Sequence, residues 1–154
     1  MRNVFHDEEF EKVFTWFCVI KIIVLLTVIF GLFIPSQFTS VREYLDDRFL
    51  NAHAQFDASA YIDIAQNGYN QEFYNGAGNY SYFPLYPILI KFFSYLFGIG
   101  WSAFLINNIL SFVCVYLLYL LVEEDYGKEI AYKATMLFAF YPLIYFFNMM
   151  YTES

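Results

Sequence analysis

Apolar residues fall into three long blocks along the chain, separated by polar stretches. The first, residues 13–34, is broken by polar side chains only at Thr15, Thr27 and Lys21. A helix of about 22 residues at roughly 1.5 Å each reaches about 33 Å, enough to cross the hydrocarbon core of a bilayer. A cleaved leader does not fit this block: it is too long, the residues before it are acidic, and no small-x-small cleavage pattern follows. The second block, 104–122, carries no charge, and the third, 130–150, carries only Lys133 near its start. Both predict membrane spans.

Residues 83–98 form a shorter block of about 16 residues, or roughly 24 Å as a helix, below the roughly 30 Å core. It opens with two prolines, and Pro84, Pro87, Lys91, Ser94 and Gly98 recur at intervals of three and four. Such spacing places them in one stripe on a helix whose other faces are apolar. The pattern suits an interfacial or re-entrant helix. A short true span with Lys91 snorkelling is the alternative. The fold class expected is all-α, a multi-pass transmembrane helical protein with three spans plus an interfacial helix, or four spans.

Composition sharpens this picture. Of 154 residues, 60% are hydrophobic and 24% aromatic, while only 15% are charged, below the roughly 25% of soluble domains. That excludes a disordered chain and a disulfide scaffold. The net charge of −7 and the scatter of 8 basic residues argue against a nucleic-acid partner. Cys18 and Cys114 lie inside apolar runs and read as small apolar side chains. Residues 1–12 hold Arg2 and Lys12, whereas the longer 35–82 segment holds only Arg42 and Arg48 with six acids. Basic density thus points to a cytoplasmic N-terminus, residues 1–12, and an external 35–82 loop. If 83–98 does not cross, Glu123–Glu129 becomes a cytoplasmic turn and residues 151–154 emerge on the side of the loop.

The 35–82 loop is rich in aromatic residues and poor in linker residues, as a functional loop of this length is expected to be. Residues 57–65 read as a short helix stopped at Gly68. Asp57 at its start is either an N-cap or a general base. Asp63, six residues on, falls about 120° from the face of Asp57 and orients neighbours or faces water. The stretch Asn75-Gly76-Ala77-Gly78-Asn79 reads as a turn. Asn79-Tyr80-Ser81 has the form of a glycosylation triplet, a pattern common by chance.

Three ordered motifs carry a family resemblance. The run from Phe56-Asp57 through Ile64-Ala65 to Gly68-Tyr69, then Tyr82-Phe83-Pro84-Leu85-Tyr86-Pro87, then Tyr141-Pro142 followed by Tyr151-Thr152-Glu153-Ser154, resembles the signature of the C-type membrane mannosyltransferases. These are related to the second mannosyltransferase of GPI-anchor assembly and its bacterial and archaeal relatives. Two positions depart from that signature: Phe56 stands where the family has Trp, and Ala60 replaces an aromatic.

The resemblance implies a polyprenyl- or dolichyl-phosphate sugar donor, usually mannose, reaching the site from the lipid. A glycan or glycolipid acceptor would arrive from the external side. It implies Asp57 as the catalytic base and Asp63, Tyr61, Tyr69, Tyr86, Lys91 and Glu153 as substrate-contacting residues; no residue is assigned to a cofactor or a metal. Lys91 either neutralises the lipid phosphate or snorkels, and Glu153 either binds acceptor or is a solvated acid. Since the family's members are several hundred residues long, the chain reads as an N-terminal fragment that is inactive alone. The expected setting is an integral membrane, the plasma membrane of a prokaryote or the endoplasmic reticulum of a eukaryote. A non-catalytic accessory protein is the alternative. A transporter is disfavoured, because Asn107 and Asn108 are the only notable polar pair within a span and no repeat is visible.

Overall fold

The computed structural model describes residues 7–34, 45–76 and 78–150. The first ten residues of the expected loop, Ala77 and the Tyr151–Ser154 motif with Glu153 lie outside the described residues. Those described form helices and no strands: α1 (Glu8–Gly31), α2 (Arg48–His53), α3 (Ala58–Asn67), α4 (Phe73–Gly76), α5 (Leu85–Phe97), α6 (Ile99–Tyr126) and α7 (Lys128–Ala139), then a 3₁₀ helix (Pro142–Asn148). The chain is a multi-pass helical membrane protein in architecture. Helices α1 and α6 are each long and apolar enough to cross a bilayer, and the α7–3₁₀ pair makes a third if counted as one broken span.

Helix α1 begins where its sequence specifies. The Asp7 carboxylate accepts from the Glu9 amide at 3.1 Å, and Glu8, Glu9 and Glu11 place negative charge at the positive end of the helix dipole. Inside the span, Thr15 and Thr27 donate their hydroxyls to the carbonyls of Glu11 and Ile23, so neither presents an unsatisfied polar group to lipid.

Helices α1 and α6 run antiparallel, as successive side-chain meetings show. Phe10 packs on Tyr119 at 5.2 Å, Phe17 on Phe112 at 5.1 Å, and Lys21 reaches Asn108 at 2.9 Å. The start of α1 therefore meets the end of α6, where Lys128 forms an ion pair with Asp7. At the opposite end Arg48 donates to the Leu32 carbonyl, and Gly100 lets α2 close on α6: a Cβ there would sit 3.0 Å from Leu45 and Leu50.

Two apolar clusters result. The one at the loop end joins Leu50, Ala58, Tyr61, Ile90, Ala103 and Ile106. The other joins Phe10, Val13, Phe17, Val115 and Tyr119 to α7 and the 3₁₀ helix. Among the described residues α5 contributes to the loop-end cluster alone. Its Tyr86 hydroxyl donates to the Ala103 carbonyl at 2.9 Å, one turn into α6. The stripe expected on α5 divides: Pro87 is buried against the protein, whereas Lys91 is exposed.

The block at 130–150 is not one straight helix. Its two halves meet at 76°. Pro142 is the cause, because a proline disfavours helical geometry at the residue before it. Tyr141 accordingly sits at φ −66°, ψ 132°. The chain beyond the bend returns to the loop end, where the Met150 amide donates to the His53 carbonyl at 3.1 Å.

The Asp7–Lys128 pair has a pH signature. Burial alone would raise the Asp7 carboxyl, but hydrogen bonding and charge from Lys128, with the Glu9 amide, hold it below its ordinary value. A lowered carboxyl stabilises the fold above the unfolded value near 4 and loses that contribution as pH falls through the lower folded value. Lys128→Met is expected to lower Tm by about 2 °C at neutral pH and to have little effect near pH 2, as read by thermal unfolding in detergent.

Candidate functional site

Among the described residues the loop end of the bundle carries two of the acids that the sequence singles out, Asp57 and Asp63. Asp57 is exposed at the start of α3, and its Oδ1 accepts the Tyr82 hydroxyl at 3.2 Å. Asp57 stands at the N-cap position of α3 but makes no capping bond there. Its own backbone is already helical, at φ −68° and ψ −19°. The turn into α3 is instead built one residue earlier. Phe56 takes a left-handed φ of 55°, and its carbonyl accepts from the Ser59 hydroxyl at 2.8 Å. A left-handed backbone at a non-glycine residue is strained by about 1–2 kcal/mol. That conformation leaves the Phe56 ring 77% exposed beside Asp57.

Asp63 has a different environment. Its Oδ1 accepts from the Asn67 amide at 2.8 Å, and its Oδ2 accepts from the Asn70 and Asn79 amides at 2.9 and 2.8 Å. Two of those amides have their orientations fixed from behind. Asn79 Oδ1 accepts from the Asn70 backbone, and Asn70 Oδ1 accepts from the Phe73 backbone, each at 2.9 Å. Asp63 is thus the hub that closes the Asn/Gly stretch into one ordered loop, with Asn79 fully buried.

The tyrosines separate in the same way. Tyr61, expected at the substrate, is only 7% exposed, its ring set edge-on between Tyr82 at 5.1 Å and Tyr86 at 5.4 Å. Tyr86 is buried as well. Both are packing residues of the loop-end cluster, because the α3 face carrying Tyr61 is the face that meets α5. Tyr69 remains at the surface, stacked nearly parallel to Tyr80 at 6.1 Å, and its hydroxyl donates to the Tyr82 carbonyl at 2.6 Å. Lys91 lies exposed on α5 and its side chain joins no ion pair among the described residues, while Glu153 falls outside them.

Phe56, Tyr69 and Tyr80 are thus exposed aromatic rings of the same loop, and Tyr82, whose carbonyl accepts from Tyr69, donates to the exposed Asp57 carboxylate. Behind it, His53 is fully buried with Nδ1 2.8 Å from the Phe49 carbonyl. Burial pushes this imidazole below its ordinary pKa, the nearby Lys21 adds to the effect, and the Phe49 carbonyl opposes it. Among the described residues no group of three or more His, Cys, Asp or Glu is placed to hold a metal. Tyr82 was legible only as part of a motif and not as the partner of Asp57. Lys21 was legible as a lone charge in an apolar block, the signal that marks a residue with a task inside a membrane.

Residues 82–153, just under half of the chain, match the family model of the dolichyl-phosphate-mannose-protein mannosyltransferases. The match supports a membrane glycosyltransferase of the C type. It begins at Tyr82, the residue that meets Asp57. The matched description names protein mannosyltransferases, so the GPI-anchor relationship rests on the motif resemblance alone. No curated protein and no solved structure matches the chain.

The two sides of α3 are expected to respond oppositely to substitution. Asp63→Ala strips three amides of their shared acceptor and should lower stability by about 2 kcal/mol. Phe56→Gly relieves a left-handed backbone and should raise it by about 1 kcal/mol. Denaturant unfolding of the two variants beside the parent checks both signs.

Proposed function

We propose that this chain carries the reacting end of a C-type glycosyltransferase that moves mannose from a polyprenyl or dolichyl phosphate to an acceptor hydroxyl on the loop side of the membrane. The observation that carries the reading is Asp57: an exposed carboxylate in the first motif, hydrogen-bonded by the residue at which the family match opens. The acceptor oxygen attacks the anomeric carbon and the bond from that carbon to the phosphate oxygen breaks. The lipid phosphate leaves with the electron pair, and the hydroxyl proton passes to Asp57. One carboxylate opposite the leaving group suffices for a displacement that inverts the anomeric centre. The Tyr82 hydroxyl holds one carboxylate oxygen and so orients the other toward the acceptor. Phe56, Tyr69 and Tyr80 supply the aromatic surface on which the acceptor glycan rests. Lys91, exposed on α5, faces the donor phosphate, and Glu153 serves the acceptor.

The topology that goes with this reading has three crossings, α1, α6 and the bent α7–3₁₀ pair, with α5 lying in the interface on the loop side. The antiparallel register of α1 and α6 and the Asp7–Lys128 pair support it, since together they bring the N-terminal end of α1 to the α6–α7 turn. A cysteine at position 46 should react with an impermeant reagent from the side opposite to one at position 125. Reaction of both from one side would defeat this topology.

Turnover separates the two acids. In the full-length protein supplied with polyprenyl-phosphate mannose, Asp57→Asn should lose about 10²–10⁴-fold in rate while keeping its melting temperature. Near-normal turnover by Asp57→Asn would remove Asp57 from the role of base.

A further inference from the structure

Lys21 lies in the middle of α1, in a span, and is 7% exposed. Its ammonium has three N–H groups, and each is accounted for. One donates to the Phe147 carbonyl at 2.7 Å and one to Asn108 Oδ1 at 2.9 Å. The remaining side lies 5.6 Å from the ring centroids of both Phe17 and Phe112, a cation–π distance. Asn108 is held in the orientation this needs, because its Nδ2 donates to the Phe104 carbonyl at 2.8 Å. No carboxylate among the described residues pairs with Lys21.

The acceptor is informative. Phe147 belongs to the last turn of the 3₁₀ helix, where carbonyls run out of helical partners. Asn107 on α6 also donates to this oxygen, at 3.0 Å. One backbone carbonyl of the bent segment thus takes hydrogen bonds from both spanning helices. Three residues later the same segment is tied at the loop end, through the Met150 amide and the His53 carbonyl. Residues 147–150 are therefore held at both ends, by α1 and α6 at Phe147 and by α2 at Met150.

We infer that Lys21 is a positioning residue, a latch that registers the bent 142–150 segment against the loop carrying Asp57. Proline 142 breaks the helix but does not dictate where the broken half goes. An ammonium that fits one carbonyl, one amide oxygen and two ring faces does so. An apolar side chain at position 21 would enter the bilayer more readily than lysine. Retention of the charge goes with fixing a register, the best-attested use of buried polar groups. The effect on catalysis rests on the transferase reading above, whereas the latch itself does not.

The test uses full-length protein in lipid nanodiscs, with Cys18 and Cys114 replaced by alanine and spin labels at positions 46 and 143. The parent should give one narrow distance distribution. Lys21→Met, similar in length and apolar, should insert and melt no lower than the parent yet broaden that distribution. Lys21→Arg, which keeps donors for the same two oxygens, should narrow it again. A parent-like distribution in Lys21→Met overturns the latch. Should Lys21→Met fail to fold, Asn107→Leu, which removes the second donor to the same carbonyl, decides: broadening supports the latch and an unchanged distribution overturns it. In turnover assays Lys21→Met should lose about 10²-fold in kcat with KM little changed, as expected of a misplaced rather than missing group. If the parent itself transfers no sugar, the transferase reading fails, and the distance measurement still judges the latch.

Discussion

A single carbonyl oxygen, that of Phe147, organises this bundle. Phe147 belongs to the second apolar cluster, and its carbonyl draws donors from Lys21 on α1 and Asn107 on α6. In lipid, no water waits to satisfy a broken helix, so each freed carbonyl must find a partner inside the protein. The 3₁₀ helix that follows Pro142 runs out at Asn148, and these donors satisfy the Phe147 carbonyl in its last turn. In turn, the bend carries the chain back to the loop end. A polar layer of Lys21, Asn107, Asn108 and Ser111 thus separates two otherwise apolar clusters.

Much of this was legible in the sequence, because spans announce themselves by length and composition. The all-helical class, the blocks around α1 and α6 and the short α5 follow from apolar runs alone, whereas the stripe expected on α5 does not hold together as one face. The blocks mark the lipid-crossing core of each helix and not its ends, so α6 extends beyond its block at both ends, to Ile99 and Tyr126. The 130–150 block hid its break for a specific reason: Pro142 changes backbone geometry without changing hydropathy, and a hydropathy reading passes over it. The signal that carries the bend is the Tyr141-Pro142 pair itself, since a residue before proline is pushed out of helical geometry.

The site was legible in part. Asp57 and Asp63 stand on one short helix six residues apart, and the roughly 120° between them separates their surroundings. One faces outward with a tyrosine hydroxyl as partner, and the other is enclosed by three asparagine amides. Sequence spacing could give that angle but not the folded-back Asn/Gly stretch that encloses Asp63, since its closure depends on side-chain amides distant in sequence. The same limit explains the tyrosines. Tyr61 and Tyr86 share motifs with exposed residues, and only tertiary packing decides which rings become wall and which become surface.

The burial of Asn79 has a consequence for biogenesis. Its amide nitrogen is the atom that a glycan would occupy in the Asn79-Tyr80-Ser81 triplet, and in the folded loop that nitrogen is donated to Asp63. A sugar attached before the loop closes would keep Asp63 from assembling its three amides, and a loop closed first hides the nitrogen from any modifying enzyme. In a host that glycosylates such triplets on the loop side, the two fates exclude each other molecule by molecule. The fraction of chains carrying a glycan at Asn79 would then record a race between covalent modification and loop closure during synthesis, with the winner fixed permanently in each molecule.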